Sequence, residues 1–126
     1  MTPCQLLSEA LGQTPHIFAL PFGSAARGPV YRDFDVAIMG GPTELGERLA
    51  LGVRLEAAVK FPVDLVHLEQ APLALQFEAS KGQLLTVSDP EALADWKERT
   101  WSEYFDRQHF FQSYAREMLQ ARAEMA

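Results

Sequence analysis

Asp33-Phe34-Asp35-Val36-Ala37-Ile38-Met39 and Val63-Asp64-Leu65-Val66-His67-Leu68 decide the fold of this chain. Both are short apolar runs interrupted by carboxylates, and both are too short for an ordinary helix. The first alternates, so Asp33 and Asp35 project from the same face of a strand. Gly40-Gly41-Pro42 then reads as a turn. Thr43 is placed to cap a helix over about Glu44 to Lys60. Within it Glu44 with Arg48, and Glu56 with Lys60, are spaced as i,i+4 ion pairs. Pro62 opens the second run.

Working outward, His16-Ile17-Phe18-Ala19-Leu20 has the length of a buried strand, which Pro21 is expected to stop. Before it, Thr2-Pro3-Cys4-Gln5 fits a capping box with proline at the first helical position. Leu7, Ala10 and Leu11 share a face of that helix, and Gly12 can close it. After Phe22-Gly23-Ser24, the stretch Ala25 to Pro29 holds one helical turn. Downstream, Pro72 opens a helix from Leu73 to about Ala79, and Gly82 to Val87 reads as a short strand. Ser88-Asp89-Pro90-Glu91 fits either a capping box or an Asp cap with Pro at the first position. A long helix follows, to about Arg122. The order predicts a small α/β (α+β) domain, residues 1–126, with a long C-terminal helix.

The 126 residues suit one domain. Apolar residues at 48% and charged residues at 22% are ordinary for a globular protein. With 17 acidic against 11 basic residues the formal charge is −6, which argues against nucleic acid or an anionic membrane as partner. A single cysteine excludes an internal disulfide, and Cys4 reads as a small buried or half-buried apolar residue. No apolar run reaches the ~18–20 residues of a membrane span, and Met1 to Gln5 lack a basic leader start. A cytoplasmic protein is expected.

Three features carry the chemistry. Asp33 and Asp35 would stand ~6.6 Å apart along a strand, from a rise of ~3.3 Å per residue. At that spacing two carboxylates can converge on a hard cation, or bracket a pair of cations ~3.5–4 Å apart as in two-metal phosphoryl chemistry. Asp64 lies in a run that reads as buried, where an unpaired charge is costly. A cation shared with Asp33 and Asp35 relieves that cost if the two strands are neighbours. Gly23-Ser24, between a strand and a helical turn, lets backbone N–H groups approach phosphate oxygens. The Ser24 hydroxyl adds a hydrogen bond, and Arg27 lies one turn on. A phosphate cradle facing a carboxylate metal site suits group transfer from a nucleoside triphosphate.

Phe22-Gly23-Ser24-Ala25-Ala26-Arg27-Gly28, then Asp33-Phe34-Asp35-Val36-Ala37, then Val63-Asp64-Leu65-Val66, resemble the polymerase-beta-like nucleotidyltransferase superfamily. The size is similar to its minimal nucleotidyltransferase (MNT) branch, the MntA-type antitoxins of HEPN–MNT toxin–antitoxin pairs. The resemblance covers almost the whole chain, including Phe77 to Leu85. It implies a small mixed sheet flanked by helices, with Gly23 and Ser24 holding the triphosphate of ATP. It implies that Asp33, Asp35 and Asp64 hold two Mg²⁺ ions, with Asp64 helping to deprotonate the acceptor hydroxyl. In MntA-type members the acceptor is a tyrosine of a HEPN RNase toxin, which adenylylation silences. Two features depart from the family pattern. Only eight residues separate Ser24 from Asp33, and Arg32 stands where the family often has Ser or Asp. The short interval motivates an alternative, an antitoxin that acts by binding alone. A third reading is nucleotidyl transfer to a small molecule.

His16, His67 and His109 form no metal pattern, and His67 is expected to face away from Asp64. Lys60 and Lys81 read as solvated. In the last helix Trp101, Tyr104, Phe105, Gln108, Phe111 and Ala115 make one face, expected to pack on the sheet. Phe110 and Tyr114 lie toward another side, as core or as a partner surface.

Overall fold

The computed structural model describes residues 2–22 and 34–125. The expected capping box forms: the Thr2 hydroxyl accepts from the Gln5 N–H, and the Gln5 side chain accepts from the Thr2 N–H. It starts α1 (Pro3–Leu11), which buries Leu7 and Leu11. Strand β1 (Phe18–Phe22) is followed by β2 (Phe34–Met39), α2 (Leu45–Val59) and β3 (Val63–His67). A 3₁₀ turn over Leu68–Gln70 leads to α3 (Leu73–Ser80), β4 (Thr86–Val87) and α4 (Pro90–Met125).

The strands form one mixed sheet in the order β3-β2-β1-β4. β1 is antiparallel to β2 and to β4, whereas β2 and β3 are parallel. Alternation along β2 sends Phe34, Val36 and Ile38 to one face, where they pack with Leu7 and Leu11 of α1 and Leu51, Leu55 and Val59 of α2. The opposite face buries Phe18, Leu20, Phe22 and Ala37 with Leu68, Ala79 and Trp96. The result is a sheet between two helical layers.

Several local expectations are corrected. Pro21 does not stop the strand but lies inside β1, opposite Val36. The Ala19 carbonyl faces β4, accepting from the Leu85 N–H, and Pro21 faces the same way two residues on. The β4 register ends at Ala19, so the missing N–H of Pro21 interrupts no ladder. The expected strand from Gly82 shortens to Thr86–Val87. Gly82 instead lies so close to β1 that a Cβ on it would sit 1.9 Å from the Pro21 carbonyl oxygen.

Thr43 does not cap α2. Glu44 occupies the cap position without a side-chain bond, and Lys60 ends the helix in the left-handed conformation. The spaced charges of α2 go elsewhere: Arg48 donates to the Pro42 carbonyl and to Gln70, and Glu56 accepts from the Val63 N–H. At α4 the Asp cap prevails over the capping box, with the Ala92 N–H donating to Asp89 Oδ1. Trp101, Tyr104 and Phe105 pack on Phe77 of α3 rather than on the sheet. Phe111 is exposed. Cys4 is free and half-buried, as expected.

Candidate functional site

The parallel register places Asp35 of β2 directly beside Asp64 of β3. Neighbouring strands lie ~4.8 Å apart, and partners in register point to the same face. That face is shown by the residues two positions on, since Ala37 and Val66 both pack with Leu68 and Trp96. Val63 and Leu65 face the other way, toward α1 and α2. The two carboxylates therefore stand side by side on the face that α3 and α4 share.

Their exposures differ. Asp35 is half-buried on an inner strand, and Asp64 is exposed. The expectation that Asp64 sits in a buried run is corrected, because β3 is the outer strand of the sheet. Burial is therefore no reason for a cation at Asp64. What brings the two acids together is register. Phe22, the last residue of β1, is paired with Asp35 on its other side, so the chain leaves β1 beside the acidic pair. Asp33, Gly23, Ser24 and Arg27 lie outside the described residues. Among the described residues no set of three potential metal ligands is complete.

The donor set fits the expected ion. Two carboxylates in register, with a third one residue before Phe34, supply hard oxygen donors of the kind Mg²⁺ takes. His67, as expected, faces away from Asp64. It borders a groove with Leu49, Val53 and Leu65. Burial, and then the nearby Arg48 guanidinium, lower its pKa, against an opposing effect of Glu69. Its Nδ1 is buried without a hydrogen-bond partner. No described helix is long and apolar enough to cross a membrane.

One exposed surface carries no motif. Leu45, Leu49 and Val53 form a second apolar side of α2, about 120° around the helix from Leu51, Leu55 and Val59. Its signal in the sequence is the i, i+4, i+8 spacing, which the buried stripe also has.

No curated protein matches the chain. Solved structures do. A toxin–antitoxin structure with AMP-PNP superposes with a TM-score of 0.73 at 22% identity, over 92% of this chain and 98% of that one. A toxin–antitoxin MntA–HepT structure gives 0.69 at 20% identity, over 93% and 97%. A complex of tri-AMPylated Shewanella oneidensis HEPN toxin with MNT antitoxin gives 0.63 at 23% identity, over 90% and 90%. At these identities the likeness is one of fold. The family model described as Polymerase beta, Nucleotidyltransferase matches residues 7–91, from α1 through β4, and so takes in Asp35 and Asp64 and the segment between β1 and β2. With its mixed sheet and that match over more than half its length, the chain belongs to the polymerase beta nucleotidyltransferase family.

Proposed function

We propose that this chain, a single domain over residues 1–126, is a cytoplasmic antitoxin that transfers AMP from ATP to a tyrosine hydroxyl of a HEPN-family RNase toxin. The observation that carries the reading is the in-register pairing of Asp35 with Asp64 in a chain of this family. The chain-length likeness to toxin–antitoxin structures, one with AMP-PNP and one with a tri-AMPylated toxin, supports the class of substrate and partner.

Asp33, Asp35 and Asp64 are the residues to hold two Mg²⁺ ions. When bound, these ions neutralise charge on the triphosphate and on the departing pyrophosphate. Gly23 and Ser24 bind the triphosphate tail, and Arg27 supports it. The tyrosine oxygen forms a bond to the α-phosphorus. The bond from that phosphorus to the bridging oxygen breaks, and pyrophosphate leaves. Asp64, at the exposed edge, accepts the hydroxyl proton. Its solvent-facing position lets a large protein acceptor approach.

The surface offered to the toxin is the distal part of α4, where Phe110, Phe111, Tyr114 and Met118 are exposed. A groove of about 520 Å³ between Leu73 of α3 and Tyr104 and Phe111 of α4 continues it. Exposed aromatics of this density are typical of the centre of an interface. The same surface serves the alternative in which the chain neutralises its toxin by binding alone.

The test incubates the chain with labelled ATP, Mg²⁺ and its HEPN toxin partner. Label is expected on a toxin tyrosine, and the Asp33→Asn, Asp35→Asn double variant should lose the transfer by ~100-fold or more. No transfer by the wild type to a toxin it demonstrably binds overturns the enzymatic reading. Undiminished neutralisation by the double variant identifies a binding antitoxin.

A further inference from the structure

The outer side of α2 is an apolar ridge: Leu45, Leu49 and Val53 are 69%, 62% and 66% exposed. With Leu51, Leu55 and Val59 buried on another side, this helix is apolar on two sides, a pattern that belongs to helices covered on both. Gly46 and Gly52 flank the ridge, three residues before and three after Leu49. A Cβ at Gly52 would meet nothing within 4 Å, and one at Gly46 only the Glu44 carboxylate at 3.9 Å. No contact among the described residues therefore requires glycine at either place, although glycine weakens a helix. The charges beside the ridge are tied down within the chain, Arg48 on Pro42 and Gln70, Glu56 on the Val63 N–H. Along its flank runs a groove of about 470 Å³, walled by Val63, Leu65 and His67 of the outer strand.

We propose that this ridge pairs the chain with a second copy of itself, the two α2 helices antiparallel about a two-fold axis at Leu49. In that register Leu49 meets Leu49 of the second copy, Leu45 meets Val53, and Gly46 meets Gly52. The sequence is self-complementary about its centre, as an isologous contact requires. The glycine shoulders let the two helix axes come close.

Charge selects this occupant. The chain carries a net −6, so two copies repel over most of their surfaces. The charged groups that border the ridge and its groove are one basic, Arg48, and one acidic, Glu56. That face adds no net charge of its own to the repulsion, and offers no complement to a strongly charged partner. From Leu45 to Val53 the ridge is ~12 Å long. Even with the adjoining groove, the buried area falls at the small end of interfaces, below ~1,200 Å². The dimer is accordingly weak and concentration-dependent.

Sedimentation velocity on the full chain, across rising concentration, tests this. The wild type should double in mass, a Leu49→Glu, Val53→Glu variant should stay monomeric, and a Phe110→Glu, Phe111→Glu variant should behave as wild type. In a Cys4→Ser background, Leu49→Cys should oxidise rapidly to a disulfide dimer, and Glu47→Cys, on another side of α2, should not. This second measurement needs no disruptive substitution. A wild type that is monomeric throughout overturns the proposal, as does a dimer that survives the α2 charges or equal crosslinking at both cysteines. Loss of toxin binding in the α2 variant, without any wild-type dimer, assigns the ridge to the toxin and equally overturns it. None of these readouts depends on nucleotidyl transfer.

Discussion

Trp96 and Phe110 belong to one unbroken helix, yet they meet opposite surroundings. Trp96 is 2% exposed, lies against Phe18 with ring centroids 5.0 Å apart, and donates its indole N–H to Gln76. Phe110 is 64% exposed, and its ring meets Phe111 and Tyr114 of the same helix. Both halves of α4 are rich in aromatic residues. What separates them is the layer beneath: β1 and α3 lie under the first half, and the 36-residue helix outruns them. Aromatic content marks a surface that wants covering, and says nothing of whether the same chain covers it.

The largest effect that could break this contrast is on stability. Trp96→Ala should cost about 3–5 kcal/mol, read from the urea midpoint. A cost under ~1 kcal/mol would mean that the first half of α4 is not core. The distal half should behave in the opposite way. Phe110→Ala with Phe111→Ala should leave stability within ~0.5 kcal/mol and weaken toxin binding by at least ~tenfold, measured by titration calorimetry. Unchanged affinity would remove the distal half from the interface.

The boundary itself is testable at Trp101, whose indole donates to the Ser80 hydroxyl at 2.8 Å. Trp101→Phe keeps much of the packing on Phe77 and loses that bond, for about 1 kcal/mol. The smallest effect is a pH dependence on the far side of the sheet. The His67 pKa is lowered by burial and by Arg48, from the ordinary 6.5. Folding thus favours the neutral ring. That stability is complete above pH 6.5 and is lost as pH falls through the lower folded value. His67→Gln should flatten this acid limb of a stability–pH profile. Because His67 and Trp96 pack on opposite faces, their effects should add within ~0.5 kcal/mol.

Much of the fold was legible because its signals are local. The Thr2–Gln5 capping box, the Asp89 cap and the alternation of β2 act within a few residues, and each forms as expected. Pro21 was misread as a stop because its tolerance depends on where β4 ceases to pair with β1. Thr43 is not the cap because α2 begins at Leu45, one residue later than its spacing suggests, which leaves Glu44 at the cap position. At the site, Asp33, Asp35 and Asp64 are legible together as one set of candidate cation ligands, but burial does not account for Asp64, which is exposed. Val63, Leu65 and Val66 resemble an inner strand in composition, and nothing local marks the strand as an outer, partly exposed one.

Residue order alone carries the succession of helices and strands, the alternate placing of the carboxylates, and the resemblance to a nucleotidyltransferase family. These follow from backbone preferences, side-chain alternation and short motifs, all of which act between near neighbours in the chain. Packing in three dimensions is what sets β3 outermost beside β2, bringing Asp64 level with Asp35 at an exposed edge. It alone decided where α4 outruns its support and which side of α2 stays bare. Those outcomes depend on packing between segments tens of residues apart, where many sequences satisfy one arrangement and no short pattern records it.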